Sequence, residues 1–165
     1  MKIRIAALVN DSIVDGPGLR YAVYTQGCLH HCKGCHNPQT HDPKGGRETD
    51  TGIIWREIEE NPLLSGITFS GGDPLLQPLP LAELAEKAHE KGLSVWCYTG
   101  WTWESLMRKS DPDMMTLLKN VDVLVDGPFL LDQRTLDLPF RGSKNQRLID
   151  VAESLRSGTA ADFLL

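Results

Sequence analysis

The 165-residue chain contains no apolar run that approaches the roughly 20 residues needed to span a bilayer. Its first residues, Met1 to Arg4, also lack the apolar core and the small-residue cleavage site of a secretory signal peptide. These two absences argue against a membrane-bound or secreted protein. We therefore expect a cytoplasmic protein with no membrane partner.

The chain also lacks a concentration of basic residues. Its 17 Lys and Arg residues are dispersed among 22 Asp and Glu residues, which gives a net charge of -5. Nucleic-acid binding needs a basic patch, so we expect no nucleic-acid partner. No internal repeat or low-complexity tract divides the sequence. Its length and its 41% apolar content predict one domain over residues 1–165, with residues 156–165 as a candidate disordered tail.

Cysteine is scarce, but three of the four cysteines, Cys28, Cys32 and Cys35, lie close together in the sequence. This clustering is poor material for a disulfide framework and good material for metal ligation in a reducing compartment. Structural zinc sites and ferredoxin-type clusters both take four protein ligands, so a triplet leaves one metal position open to a substrate. The fourth cysteine, Cys97, lies in an apolar run and is expected to be a core residue.

A zinc site is the alternative for the triplet. The fourth ligand would then be a histidine, and the candidates are His30, His31, His36 and His41. Their spacing matches no common zinc finger, and the other motifs of the chain would stay unexplained. The sequence therefore favours an iron-sulfur cluster.

Strand-like and helix-like segments alternate along the chain. We predict strands at 19–26, 67–70, 93–99 and 121–126, and helices at 51–60, 80–91, 102–109 and from 112 onward. The polar segment 39–50 is interpreted as a mobile connection. Alternation of this kind predicts parallel βαβ units, but a complete eightfold barrel takes about 250 residues. The predicted fold is therefore α/β, a partial, open (β/α) barrel with parallel strands.

Polar or glycine-rich segments follow each predicted strand. They are the cysteine loop, residues 70–73, residues 98–100 and residues 126–128. Ligands of parallel α/β proteins bind where strands end and loops begin. We therefore expect these four segments to form one site.

This combination of motifs resembles the radical S-adenosylmethionine enzymes. The turn at 15–20 and the loop end at 35–38 are similar to the activases of glycyl-radical enzymes, and segments 70–75, 98–100, 125–129 and 140–146 are similar to the activases of anaerobic ribonucleoside-triphosphate reductases. The resemblance implies a 4Fe-4S cluster that binds S-adenosylmethionine and cleaves it reductively to a deoxyadenosyl radical. It implies the reductase as protein substrate, on which a glycyl radical is made. It also implies an electron donor such as flavodoxin or ferredoxin.

The resemblance assigns roles to individual residues. Cys28, Cys32 and Cys35 would bind the cluster and carry its chemistry. The implied contacts to S-adenosylmethionine are Gly34, Cys35, His36, Ser70, Gly71, Gly72, Asp73, Tyr98, Thr99 and Asp126. Many members of the superfamily have an aromatic residue at the position of Gly34. Gly72 is expected to lie against the methionine end of the cofactor, where a side chain would block binding but not folding.

Two further expectations concern the partner. Arg20 and Arg141 lie in activase-like segments, so both are expected on a docking surface for the reductase. The alternatives are an activase of another glycyl-radical enzyme, a radical S-adenosylmethionine enzyme acting on a small molecule, such as a deazaguanine synthase, and a non-catalytic iron-sulfur or zinc module.

Overall fold

All strands of the protein belong to one seven-stranded mixed sheet in a computed structural model that describes residues 1–165. The strands are β1 (Lys2–Ser12), β2 (Arg20–Thr25), β3 (Arg47–Asp50), β4 (Gly66–Gly71), β5 (Ser94–Tyr98), β6 (Val123–Asp126) and β7 (Arg147–Asp150). The helices are α1 (Thr51–Glu59), α2 (Pro78–Glu90), α3 (Trp103–Lys109), α4 (Pro112–Leu118) and α5 (Val151–Ser157). Short 3-10 turns lie at Pro38–Thr40, Pro74–Leu76 and Leu131–Gln133. None of the helices combines the length and the apolar character that crossing a membrane requires.

The strands lie in the order β3-β1-β2-β4-β5-β6-β7. The four central strands β2, β4, β5 and β6 are parallel, as the βαβ pattern predicts. The outer strands are antiparallel to their neighbours: β1 pairs with both β2 and β3, and β7 pairs with β6. The expectation of parallel strands thus holds for the centre of the sheet and is wrong at its edges. Closure into a partial barrel stays a prediction.

Short local signals determine where the helices begin. The Asp50 carboxylate accepts a hydrogen bond from the Gly52 N–H at 2.8 Å and starts α1. Thr102 Oγ1 accepts from the Ser105 N–H at 3.2 Å and starts α3. Asp111 caps α4, which has a proline at its first position. Side-chain oxygens accept hydrogen bonds from the first amide groups of a helix, which have no partner inside it. Only a few residue types can do this, so such caps can be recognised in a sequence.

The sequence suggested that the polar segment 39–50 is a connection, but part of it forms a strand. Its last residues form β3, which pairs with β1 from Lys2 opposite Asp50 to Ile5 opposite Arg47. The C-terminal tail also contacts the sheet, because the Phe163 N–H donates to the Leu148 carbonyl at 2.8 Å. Backbone pairing therefore extends the sheet beyond its predicted strands.

The helices cover one face of the sheet. A cluster of 26 buried residues fills the space between them and includes Ile54 of α1, Leu84 of α2 and Cys97 of β5. A smaller cluster of four residues, centred on Trp96, lies on the opposite face. Because successive side chains of a strand alternate between faces, Tyr98 shares the face of Trp96. This face leads to the site at the carboxyl ends of the parallel strands.

Candidate cofactor site

The cysteine loop and the carboxyl ends of the parallel strands enclose one cavity of about 210 Å³. Cys28, Cys32 and Cys35 all line it. The other lining residues are His30, His36, Asn37, Thr40, His41, Ser70, Gly71, Gly72, Tyr98, Thr99, Gly100, Gly127, Phe129, Gly142 and Gln146. Residues from four separate loops therefore meet in one place, as the positions of the predicted strand ends indicated.

Backbone hydrogen bonds hold the cysteine loop against the segment that follows it. The Gly27 N–H donates to the Thr40 carbonyl at 2.6 Å, and the Cys28 N–H donates to the His41 carbonyl at 3.1 Å. The Cys35 N–H donates to the Cys32 carbonyl at 3.1 Å, which closes a turn between these two ligand candidates. The start of the loop is thus tied to residues 40 and 41, and a turn joins its last two cysteines.

The three loop cysteines are free thiols that differ in exposure. Cys28 is buried, and Cys32 and Cys35 are half-buried. Burial raises the pKa of the Cys28 thiol, an effect that backbone hydrogen bonds from His30 and His31 partly oppose. Thiolates are the form that binds iron, and a positively charged metal favours them strongly. A bound cluster would therefore have to offset the cost of burying the Cys28 thiolate.

The donor set fits an iron-sulfur cluster. Cys97 is fully buried in β5 and does not line the cavity, so the three loop cysteines are the only cysteines that face it. Burial raises the pKa of the Cys97 thiol well above its usual value, which keeps that group neutral. No three His, Cys, Asp or Glu side chains gather closely enough to share one metal ion. Cysteine thiolates are the ligands of 4Fe-4S clusters, and three of them leave one iron open.

The carboxylate of Asp73 lies behind the cavity wall and holds it in place through hydrogen bonds. It is 1% exposed and accepts hydrogen bonds from Thr99 Oγ1 at 2.9 Å and from the Gly100 N–H at 3.0 Å. It also accepts from the Leu75 N–H at 3.0 Å and lies 2.5 Å from His30 Nε2. His30 lies between two of the cysteines, so Asp73 joins the cysteine loop to the ends of β4 and β5.

Comparison with known proteins gives two concordant results. A family model described as a 4Fe-4S single cluster domain matches residues 14–149. An anaerobic ribonucleoside-triphosphate reductase-activating protein of Vibrio cholerae serotype O1 is 34% identical over 143 residues, covering 81% of this chain and 89% of the relative. The protein of the same name from Enterobacteria phage T4 is 33% identical, and the match covers 82% of this chain and 86% of the relative. The protein of the same name from Escherichia coli K12 is 32% identical, and the match covers 81% of this chain and 90% of the relative.

The chain belongs to the family of anaerobic ribonucleoside-triphosphate reductase-activating proteins. Among solved structures it is similar to QueE from Escherichia coli, with a TM-score of 0.47 and 16% identity over 62% of this chain and 54% of that one.

Most of the expected cofactor contacts of this family member line the cavity. They are Cys35, His36, Ser70, Gly71, Gly72, Tyr98 and Thr99. The pKa of the Tyr98 hydroxyl is raised, first by burial and then by the negative charge of Asp15. Tyr98 is therefore a neutral residue of the cavity wall.

Three expected contacts do not line the cavity. Asp73 is turned toward His30 and Thr99, as described above. The carboxylate of Asp126 is 1% exposed and is held by Arg147, with Nε to Oδ1 at 3.0 Å, and by the Trp103 N–H at 2.8 Å. Protein donors bind the oxygens of both acids, and direct contact of either acid with S-adenosylmethionine stays a prediction.

Gly34 lies outside the cavity for a different reason. A Cβ at this position would come within 2.9 Å of the Leu131 side chain, and its φ of +75° suits glycine. The space left by the missing side chain is therefore filled by Leu131. An aromatic ring could occupy it only if the Leu131 side chain moved.

Gly72 is required by the protein itself. A Cβ there would lie 2.2 Å from the Gly27 carbonyl oxygen and 2.9 Å from the Thr40 carbonyl oxygen. Neighbouring Gly71 has a φ of +102°, and its Cβ would lie 2.4 Å from the Thr25 nitrogen. The expectation that a side chain at Gly72 spares the fold is wrong, since backbone atoms of the cysteine loop fill the space.

Arg20 is not on a docking surface. Its side chain is completely buried at the amino ends of β2, β4 and β5, opposite the cavity. It donates to Thr68 Oγ1 at 2.7 Å, to the Ile67 carbonyl at 2.8 Å and to Ser94 Oγ at 2.9 Å. The guanidinium group thus replaces water with protein acceptors and joins three strands.

The sequence predicted no cofactor contact at several residues that line the cavity. They are His30, Asn37, Thr40, His41, Gly100, Gly127, Phe129, Gly142 and Gln146. Gly100, Gly127, Phe129, Gly142 and Gln146 lie within the motifs that follow the strands, so their positions carried a signal. His30 and His41 entered the sequence analysis only as alternative zinc ligands, because the sequence does not show which loop residues point inward.

Proposed function

We propose that this protein installs a glycyl radical on an anaerobic ribonucleoside-triphosphate reductase, as the names of its relatives indicate for them. It is a radical S-adenosylmethionine enzyme in this proposal. The observation that carries the proposal is the convergence of three free thiols from one loop on one cavity at the ends of parallel strands. Family membership over most of the chain gives that cavity its chemistry.

In this proposal Cys28, Cys32 and Cys35 hold the 4Fe-4S cluster. The cofactors, when bound, supply reductive cleavage of S-adenosylmethionine and with it the deoxyadenosyl radical that removes a hydrogen atom from a glycine of the reductase. Each event consumes one electron, which a donor such as flavodoxin or ferredoxin would deliver. The protein's own contribution is placement of the reactants and exclusion of competing reactions.

Part of the cavity wall suits S-adenosylmethionine. The ends of β4 and β5 present Ser70, Tyr98 and Thr99 there, together with the backbone of the two glycines 71 and 72. The rings of His36 and Phe129 lie together at one side, with centroids 5.0 Å apart. We propose that the polar strand ends meet the methionine and ribose groups, and that the chain around Cys35 and His36 meets the adenine.

The reductase must bring a backbone glycine close to the bound cofactors. A partial, open barrel would leave lateral space for such a loop, whereas a closed barrel fills its interior with side chains. Tyr98 lies on the face of the sheet that the helices leave uncovered. The half-buried Arg141 lies beside this face, on the connection between β6 and β7. We propose this face as the entry for the glycine loop, in a protein that works in the cytoplasm.

The decisive experiment is to mix the reconstituted, reduced protein with the reductase and S-adenosylmethionine and to record electron paramagnetic resonance spectra. We expect a glycyl radical that requires both additions. Cys32→Ala should bind less iron and yield no radical, whereas Cys97→Ala should retain both, since Cys97 is buried away from the cavity.

Three results would argue against the proposal. The first is normal cluster content with no spectral response to S-adenosylmethionine, which would indicate an electron-transfer module. The second is cofactor cleavage without a radical on the reductase, which would indicate another substrate. The third is loss of iron in Cys97→Ala with full iron in Cys32→Ala, which would overturn the ligand set.

A further inference from the structure

His41 is held in the wall of the cavity beside the first cysteine. Its backbone carbonyl accepts the Cys28 N–H at 3.1 Å, so the two residues are joined directly. Its ring packs edge-on against the ring of His31, with centroids 5.4 Å apart and an angle of 84° between the planes. The imidazole is therefore positioned by the loop that carries the thiols and lines the same cavity.

The Nε2 atom of His41 is buried and has no hydrogen-bond partner in the protein. The only other buried side-chain nitrogen or oxygen in this condition is Trp101 Nε1, and Trp101 does not line the cavity. The neighbouring His30, by contrast, has Asp73 as a partner at 2.5 Å. Folded proteins rarely leave a buried polar atom unpaired, because its lost hydration is then not repaid. A partner outside the protein chain accounts for this atom.

We propose that His41 Nε2 donates a hydrogen bond to a sulfur atom of the iron-sulfur cluster and thereby raises its reduction potential. The cluster is the better acceptor of the two groups expected in the cavity. The His41 carbonyl accepts the Cys28 N–H, and the His41 ring packs against His31, which lies between Cys28 and Cys32 in the loop that carries the thiols. The inference rests on the proposed function only in requiring that the cavity holds a cluster.

The direction of the effect follows from charge. Reduction adds a negative charge to the cluster, and a hydrogen-bond donor stabilises the reduced form more than the oxidised form. Removing the donor should therefore make the midpoint potential more negative. His41→Phe keeps a flat ring without a donor, and His41→Gln places an amide nitrogen near the original position of Nε2.

The test compares the wild type, His41→Phe, His41→Gln and a control, His31→Asn, after reconstitution. His31 is exposed and does not line the cavity, and asparagine tolerates the positive φ of 49° at this position. Iron content and melting temperature are measured first. The midpoint potential is then obtained by a redox titration followed by electron paramagnetic resonance without S-adenosylmethionine, and cofactor affinity is measured last.

We expect a more negative potential in His41→Phe alone, with His41→Gln near the wild type. Iron loss in His41→Phe that His41→Gln restores would support the same contact. An unchanged potential with weaker S-adenosylmethionine binding in His41→Phe would overturn the inference in favour of a bond to that cofactor. Equal shifts in His41→Phe and in either His41→Gln or His31→Asn, or iron loss in both His41 variants, would show a packing role and overturn it also.

These measurements are independent of the reductase. Failure of the proposed function would appear as a reduced wild-type protein that makes no glycyl radical, whereas failure of the inference would appear in the potential of the cluster. The two failures are therefore distinguishable.

Discussion

At the scale of single residues, one buried carboxylate organises the junction between the cysteine loop and the sheet. Asp73 receives hydrogen bonds from Thr99, Gly100 and Leu75 and pairs with His30, and it is 1% exposed. A buried charge is tolerated when its oxygens are fully occupied by donors, as they are here. Asp73 therefore helps to fix the loop that carries the thiols against the ends of β4 and β5.

Replacing Asp73 with alanine should lower the free energy of unfolding by about 3 kcal/mol, because several charge-assisted hydrogen bonds are lost and their donors stay buried. Cluster retention should fall as well, since His30 would lose the partner that holds it between two ligands. Denaturant unfolding and iron analysis measure the two effects. Asp132→Ala, on an exposed turn, is the control and should change neither. Full stability in Asp73→Ala would show that the network contributes little.

At the scale of elements, the close approach of β2 and β4 positions the site. The two strands are in parallel register up to Thr25 opposite Gly71, and the Gly72 N–H then donates to the Thr25 carbonyl at 2.8 Å. The Asp73 N–H continues the contact to the Gly27 carbonyl at 2.7 Å. The cysteine loop thus begins against the glycines, so that any added atom would push the thiols out of place.

Gly72→Ala should therefore destabilise the protein by about 3 kcal/mol through overpacking against the cysteine loop. Gly92→Ala is the matched control. Gly92 has a φ of +76° but nothing within 4 Å of the position a Cβ would take, so its cost of about 1 kcal/mol is only that of a left-handed backbone. Thermal unfolding of the two variants separates steric from conformational cost. A smaller effect at Gly72 than at Gly92 would contradict the packing account.

Local patterns account for what the sequence predicted at this scale. Helix caps such as Asp111, the apolar face of α2 and the spacing of the cysteines are all encoded within a few positions. Strand β3 was missed because its four residues, Arg47–Asp50, are polar and their partner β1 is more than 40 positions away. The sequence also did not show that the His41 side chain points into the cavity wall or that the Asp73 side chain points into the protein. Tertiary packing decides both orientations.

At the scale of the whole molecule, all three tyrosines are held in the protonated form. The pKa values of Tyr21, Tyr24 and Tyr98 are raised chiefly by burial, with further contributions from Glu57 at Tyr21 and from Asp15 at the other two. A raised folded pKa stabilises the fold fully below the unfolded pKa of about 10 and progressively less as pH rises through the folded values.

Stability should therefore fall as pH rises above about 10, with tyrosine ionisation tied to unfolding. Tyrosinate absorbance and the denaturation midpoint, measured at the same pH values, check this. The urea-unfolded chain should titrate near pH 10. A folded protein whose tyrosines all titrate there would contradict the burial of the three phenols.

The two arginines of the activase-like motifs differ in their surroundings. Arg20 joins the amino ends of the strands, so Arg20→Ala should act on folding. Arg141 lies on the connection between β6 and β7, next to the cavity residue Gly142. Its only hydrogen bond is from Nε to the Pro139 carbonyl at 3.2 Å, which leaves its charge free for a partner.

Arg141→Ala should therefore keep the fold, the iron content and the reductive cleavage of S-adenosylmethionine. The reductase concentration needed for half-maximal glycyl radical should rise about tenfold. This rise is equivalent to ~1.4 kcal/mol for one lost charged contact. Titrating the reductase against a fixed amount of each variant, with radical yield read by electron paramagnetic resonance, measures the shift. Arg156→Ala, on the exposed side of α5, is the control for loss of one positive charge. An unchanged half-maximal concentration in Arg141→Ala would remove this arginine from the docking surface, and equal shifts in both variants would assign the effect to net charge.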